Sequence, residues 1–127
     1  MYMLNTNNSI KKILTISIAA YNVERFISNT LDSLVSLSGE SLEMLKRLEI
    51  IVVNDGSKDN TENIVKKYVD KYPFAVNLIT KENGGYGSTI NVAAKAANGK
   101  YFKLLDGDDT FITENISDYC CAPLSLT

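Results

Sequence analysis

At 127 residues, 45% of them hydrophobic, the chain has apolar material for one modest domain and too little length for two. A net charge of −2 gives no support for a nucleic-acid-binding or anionic-membrane surface. Histidine is absent, which excludes Ser-His-Asp and Cys-His catalysis and every histidine-ligated metal site.

Residues 1–12 form a polar extension without an apolar signal region, and no later run reaches the roughly 18 apolar residues of a membrane span. A cytoplasmic protein is expected. Ile13 to Ala20 is a continuous, β-branched apolar run and reads as the first strand. Ile27, Leu31, Leu34 and Val35 then share one helical stripe, with Asn22 placed to cap its start. Leu48 to Val53 reads as a second strand. Ile64, Val65, Tyr68, Val69 and Tyr72 make a second helical face, entered through a capping-box-like Asp59 and Glu62. A weaker strand covers Ala75 to Thr80. Ile90, Ala93, Ala94 and Ala97 give a third helix, which Asn98-Gly99 would end in the left-handed conformation. Tyr101 to Leu105 is the last strand. After Thr110 the pattern weakens, so residues 116–127 read as an irregular tail, and the adjacent Cys120 and Cys121 neither bridge easily nor make a zinc site.

Continuous rather than alternating apolar strands are expected to be buried on both faces of a parallel sheet. Strand and helix alternate throughout, which predicts a Rossmann-like three-layer α/β/α fold with a mostly parallel sheet and right-handed crossovers, apparently truncated. In such a sheet the polar residues that follow each strand converge on one crevice. Tyr21 there either caps the core or stacks on a nucleobase. Asp55-Gly56-Ser57 is an ordinary turn into a helix, or offers a carboxylate to a base or ribose. The run Gly84-Gly85-Tyr86-Gly87 is a flexible loop, or brings backbone close to a phosphate at a helix N-terminus; it does not fit a P-loop. Asp106, Asp108 and Asp109 repel one another unless a cation sits among them, and carboxylate oxygens select hard ions such as Mg²⁺ or Mn²⁺.

Taken together, Thr15 to Glu24 (TISIAAYNVE), Glu49 to Ser57 (EIIVVNDGS) with Asp59 and Thr61, Glu82 to Gly85 (ENGG), Asn91 with Ala94 to Gly99, and Leu104 to Asp109 (LLDGDD) resemble the N-terminal half of a family-2 glycosyltransferase of GT-A fold. The resemblance covers about residues 13–115, which would be the nucleotide-sugar-binding part. It implies a nucleotide pocket of Ala20, Tyr21, Asn22, Glu24, Asp55, Gly85 and Asp106. Tyr21 would stack near uracil, Asp55 would hydrogen-bond the base, and Glu24 would shape the pocket. Asp106 and Asp108 match the family's D-x-D motif, with Asp108 the main ligand of a Mn²⁺ or Mg²⁺ ion and Asp106 facing the ribose or sugar. The family implies an inverting transfer from a UDP-sugar to a saccharide or lipid-linked acceptor, with the full-length protein peripheral to the inner face of a membrane.

Ala19-Ala20 departs from the Pro-Thr or Pro-Val common before Tyr-Asn in the family. The acceptor half and its catalytic base normally lie beyond the D-x-D motif, so no base is named here, and the chain alone is expected to transfer little. Its open sheet edge is expected to favour a homo-oligomer. Two alternatives accompany this reading. One is a non-catalytic nucleotide-binding module. The other is a haloacid-dehalogenase-type phosphatase using Asp106 as nucleophile, whose motif belongs on the first strand of its fold.

Overall fold

The computed structural model describes residues 11–37 and 45–107. Four strands, β1 (Leu14–Ala20), β2 (Leu48–Asp55), β3 (Val76–Lys81) and β4 (Tyr101–Asp106), alternate with helices α1 (Ile27–Leu37), α2 (Thr61–Lys71) and α3 (Tyr86–Ala96). All strand pairs are parallel, in the order β3-β2-β1-β4. The register sets Ala19 beside Val53 on one side and Asp106 on the other, and Asp55 beside Lys81.

Period-two alternation divides the core between the faces. Leu14, Ile16 and Ile18 of β1, with Leu48, Ile50 and Val52 of β2, pack against Ile27, Leu31 and Leu34 of α1 and Val65 of α2. On the other face Ile51 and Val53 meet Ala93 of α3. Helices on both faces give the three layers. Each wholly buried Leu or Ile contributes about 2 kcal/mol relative to an exposed one, and most of the largest fully buried side chains belong to β1 and β2. The Tyr68 hydroxyl donates to Asp32 Oδ1 at 2.7 Å and ties α2 to α1. Burial first, and then the Asp32 carboxylate, push that phenol up to about 12.

Several expectations need correction. β2 is buried throughout, but β4 alternates and leaves Phe102 and Leu104 each 40% exposed. β3 and β4 are the outer strands, and α3 lies over β1 and β2 rather than β4. β2 runs on past Val53, because Asn54 and Asp55 still pair with Thr80 and Lys81. Asn22 does not cap α1, which begins five residues later. α2 begins at Thr61, and its N-cap residue Asn60 makes no side-chain cap hydrogen bond. Asp59 instead receives the Thr61 N–H on Oδ1 and the Glu24 N–H on Oδ2, which displaces the capping box.

The end of α3 also differs: Ala97 is extended, and neither Asn98 nor Gly99 has positive φ. Gly99 is required for space, since a Cβ there would lie 2.5 Å from Thr15 Oγ1 and 2.6 Å from Thr15 N. This contact belongs to a polar cluster at the amino ends of the strands. Buried Glu49 accepts from the Thr15 hydroxyl at 2.7 Å, the Asn98 N–H at 2.7 Å and Asn98 Nδ2 at 2.9 Å, and Thr15 Oγ1 accepts from the Gly99 N–H at 2.9 Å.

Candidate functional site

The strand order dictates where a ligand fits. Successive crossovers carry β1 to β2 to β3 in one direction, and β4 then returns to the other flank of β1. The carboxyl ends of β1 and β4 therefore bound the crevice that such a reversal opens. Alternation places Ala19, Asp55 and Asp106 on the face that α3 covers, just beyond Ile51 and Val53. A cavity of about 390 Å³ lies there, between these strand ends and the start of α3. Ala20, Tyr21, Asp55, Gly85 and Asp106 of the expected pocket line it. Ala19 and Ala20 at the end of β1 also line it, the Ala19 side chain on the cavity's face of the sheet and the Ala20 side chain in the core of the opposite face, and Tyr21, 47% exposed, stands at its edge.

Asp55 is the most heavily engaged of these groups. Oδ1 accepts from Lys81 Nζ at 2.9 Å and from the Gly84 N–H at 2.8 Å, while Oδ2 accepts from the Gly85 N–H at 3.0 Å. Burial alone would raise its pKa, but the Lys81 ammonium and the two amides outweigh it and hold the carboxyl below its ordinary value of 3.8. Of roughly four lone-pair positions on an ionised carboxylate, these bonds engage three, leaving one acceptor position beside the cavity. Asn83 Nδ2 donates to the Asp55 carbonyl at 3.0 Å and draws the following loop over the strand end. That closeness explains Gly56, whose φ is +76° and where a Cβ would lie 2.7 Å from Asn83 N.

Asn22 and Glu24, expected in the pocket, do not line the cavity among the described residues. They stitch the β1–α1 connection to the β2–α2 connection. Asn22 sits at φ 52°, a conformation asparagine tolerates better than most residues. Its N–H donates to Ser57 Oγ at 2.9 Å, and its Oδ1 accepts the Lys58 N–H at 2.8 Å. Glu24 Oε1 accepts the Asn60 N–H at 2.8 Å, and Asp59 Oδ2 accepts the Glu24 N–H at 3.2 Å. The Val23 N–H donates to Thr61 Oγ1 at 3.0 Å.

Asp59 carries a pH consequence. Burial pushes its pKa up, but the Thr61 hydroxyl, the Thr61 N–H and the Glu24 N–H together hold it below 3.8. A depressed carboxylate adds stability above its unfolded pKa of about 3.9, and that contribution disappears as pH falls through the lower folded value. The melting temperature of Asp59→Asn should therefore lie below that of the wild type at pH 6, with the gap narrowing towards pH 3. A gap independent of pH would refute this role for Asp59.

Asp106 ends β4 with an exposed side chain at the cavity. Its position is fixed from behind by buried Gly107, whose N–H donates to the Ala19 carbonyl at 3.1 Å. The Gly107 carbonyl in turn accepts the Thr30 hydroxyl at 2.8 Å. A Cβ on Gly107 would approach Val23 Cγ2 to 3.0 Å, so this close seating favours glycine. Asp108, expected as the main metal ligand, lies outside the described residues, as does Asp109. The exposed Asp106 carboxylate at the cavity is a suitable hard-oxygen donor for a divalent cation.

Tyr86, Asn83 and Val23, which the sequence puts in the converging connections without a role of their own, also line the cavity, as does Thr89, which sequence reasoning passed over. Tyr86 is 51% exposed, and an aromatic directly after Gly84-Gly85 was the available signal. Lys81 was missed as the partner of Asp55, because an ion pair between adjacent strands needs the register to be known.

Over residues 15–118 the sequence matches the family described as Glycosyl transferase family 2. An uncharacterized glycosyltransferase of Rickettsia prowazekii is 38% identical over 109 residues, covering 86% of this chain and 31% of the relative. One from Mycoplasma pneumoniae is 38% identical over 104 residues, 80% of this chain and 33% of its own length. S. aureus TarS 1-349, solved in complex with UDP-GlcNAc, aligns with a TM-score of 0.72 at 31% identity, covering 84% of this chain and 29% of that one. The mannosyltransferase PcManGT of Pyrobaculum calidifontis, solved with GDP-Man and Mn²⁺, aligns with a TM-score of 0.72 over 91% of this chain and 34% of its own, at 22% identity that speaks to fold alone. The chain spans about a third of the length of the curated relatives it matches.

Proposed function

Because the chain belongs to glycosyl transferase family 2, we propose that it supplies the nucleotide-sugar-binding part of a glycosyltransferase, taking a UDP-sugar donor with a divalent cation. The whole protein would pass the sugar to a saccharide or lipid-linked acceptor with inversion. One observation carries the reading: Tyr21, Asp55 and Asp106 converge on a single cavity at the point where the strand order reverses. S. aureus TarS, solved with UDP-GlcNAc, supports UDP as the nucleotide.

In this reading the ring of Tyr21 stacks on the uracil, and the remaining lone pair of Asp55 accepts from the base edge. Asp106 faces the ribose or sugar and, with Asp108, would hold Mn²⁺ or Mg²⁺, whose hard-ion preference suits a carboxylate pair. When bound, the cation neutralises the diphosphate and makes it a better leaving group. The phosphatase alternative requires its first aspartate on the opening strand, whereas Asp106 ends β4 at the rim of the sheet.

Calorimetric titration with UDP tests the reading. Binding in Mn²⁺ should weaken roughly tenfold or more, about 1.4 kcal/mol, in EDTA and in Asp108→Ala. Tyr21→Ala should cost about 1–3 kcal/mol of affinity whether or not the metal is present, as expected for lost base stacking. Absence of UDP binding under both conditions would remove the proposal.

A further inference from the structure

Lys81 ends β3 and does not line the cavity, yet its polar contacts organise one wall of it. Its ammonium donates to Asp55 Oδ1 at 2.9 Å and to the Glu82 carbonyl at 2.6 Å. The carboxylate it grips is the one that receives the Gly84 and Gly85 amides, and a Cβ on Gly84 would lie 2.8 Å from Lys81 Nζ. The turn from β3 into α3 is thus wrapped round a lysine–carboxylate pair. The pair is well shielded, with side-chain exposures of 20% for Lys81 and 7% for Asp55.

We propose that Lys81 is a positioning residue for nucleotide recognition, acting through Asp55. Lys81 and the Gly84 amide occupy Oδ1, which orients the carboxylate so that its unfilled acceptor position lies on Oδ2, the oxygen that carries only the Gly85 amide. The same contacts hold Gly85 and Tyr86 in the cavity wall. Lys81 has a second effect through charge. Without it, Asp55 would present an uncompensated negative charge to a ligand that carries a diphosphate, and repulsion in a shielded cavity is felt more strongly than in water. The backbone amides of Gly84 and Gly85 orient the carboxylate but add no net charge, so they cannot replace it.

The inference rests on the donor-binding reading above, and a double-mutant cycle on UDP affinity separates the two. The 127-residue chain, Lys81→Met, Asp55→Asn and the double variant would be titrated with UDP in Mn²⁺, with thermal unfolding confirming that each is folded. Lys81→Met should bind UDP about tenfold more weakly. In the Asp55→Asn background the same substitution should change affinity by less than about threefold, because its effect runs through a carboxylate no longer present. A role confined to holding the fold would lower the melting temperature without this dependence on Asp55. The Gly84 and Gly85 amide protons should also lose exchange protection in Lys81→Met. If the methionine variant does not fold, Lys81→Gln, which keeps a donor but not the charge, should show an intermediate loss. Lys81→Met binding UDP like the wild type overturns this inference alone. Equal losses in both backgrounds also overturn it. A wild-type chain that binds no UDP overturns the donor reading and this inference with it.

Discussion

Asp55→Ala should lower the melting temperature by roughly 10 °C and remove measurable UDP binding in the same variant. The substitution strips the acceptor from Lys81, Gly84 and Gly85 at once. Breaking a buried ion pair by removing one partner typically costs about 3–5 kcal/mol, because the other charge is left uncompensated. Lys81 is 20% exposed, so water recovers part of that loss and about 3 kcal/mol is the better figure. For a chain of this size, that loss corresponds to the stated shift in melting temperature. The loop from Glu82 to Gly85 would lose its anchor and the cavity its wall. Differential scanning fluorimetry and calorimetric titration report the two effects separately. A variant that keeps the wild-type melting temperature would show that Lys81 and the amides have other acceptors of equal worth.

The second large effect is expected at the opposite pole. Gly99→Ala should cost about 3 kcal/mol while leaving UDP affinity unchanged in whatever fraction remains folded. The added methyl would meet Thr15 Oγ1 at 2.5 Å, Thr15 N at 2.6 Å and the carbonyl carbon of Leu14 at 2.9 Å. Two of those atoms are backbone of the central strand β1, so no rotamer change relieves the clash. Relief requires β1 or the α3–β4 connection to shift, which pulls Asn98 and Thr15 away from buried Glu49. Urea denaturation gives the stability directly. A midpoint equal to that of the wild type would mean that the connection moves aside freely.

These two positions also mark what could be read from the sequence. The alternation of apolar strands and striped helices specified the layers and the parallel sheet, because burial of Ile16, Ile50 and Leu31 follows from periodicity alone. The convergence of Tyr21, Asp55 and Asp106 was legible too, since all parallel strands end on one side. Contacts between residues distant in sequence were not. Asn22 looked like a helix cap because local spacing allowed it, but its partners Ser57 and Lys58 come from another connection. Glu24 was read as shaping the pocket, and its bond to the Asn60 amide of the next connection could not be read from local spacing. Gly99 suggested a left-handed helix end, whereas the tertiary fold uses it for lack of a side chain. β4 looked buried on both faces, because its composition does not reveal that α3 covers the neighbouring strands instead.

The strand order has a consequence for how the chain is made. A ribosome delivers β1, α1, β2, α2 and β3 first, and these can pair outward from β1 as they emerge. The other edge of β1, from Leu14 to Ala19, stays unpaired until Tyr101 to Asp106 arrives at the end of the described chain. During that interval the central strand of the finished sheet is an outer strand of a partial one, open to pairing with any extended segment nearby. Pairing of β4 covers that edge and brings Asp106 to the cavity in the same step, so Asp106 reaches the cavity only when this edge of β1 is sealed.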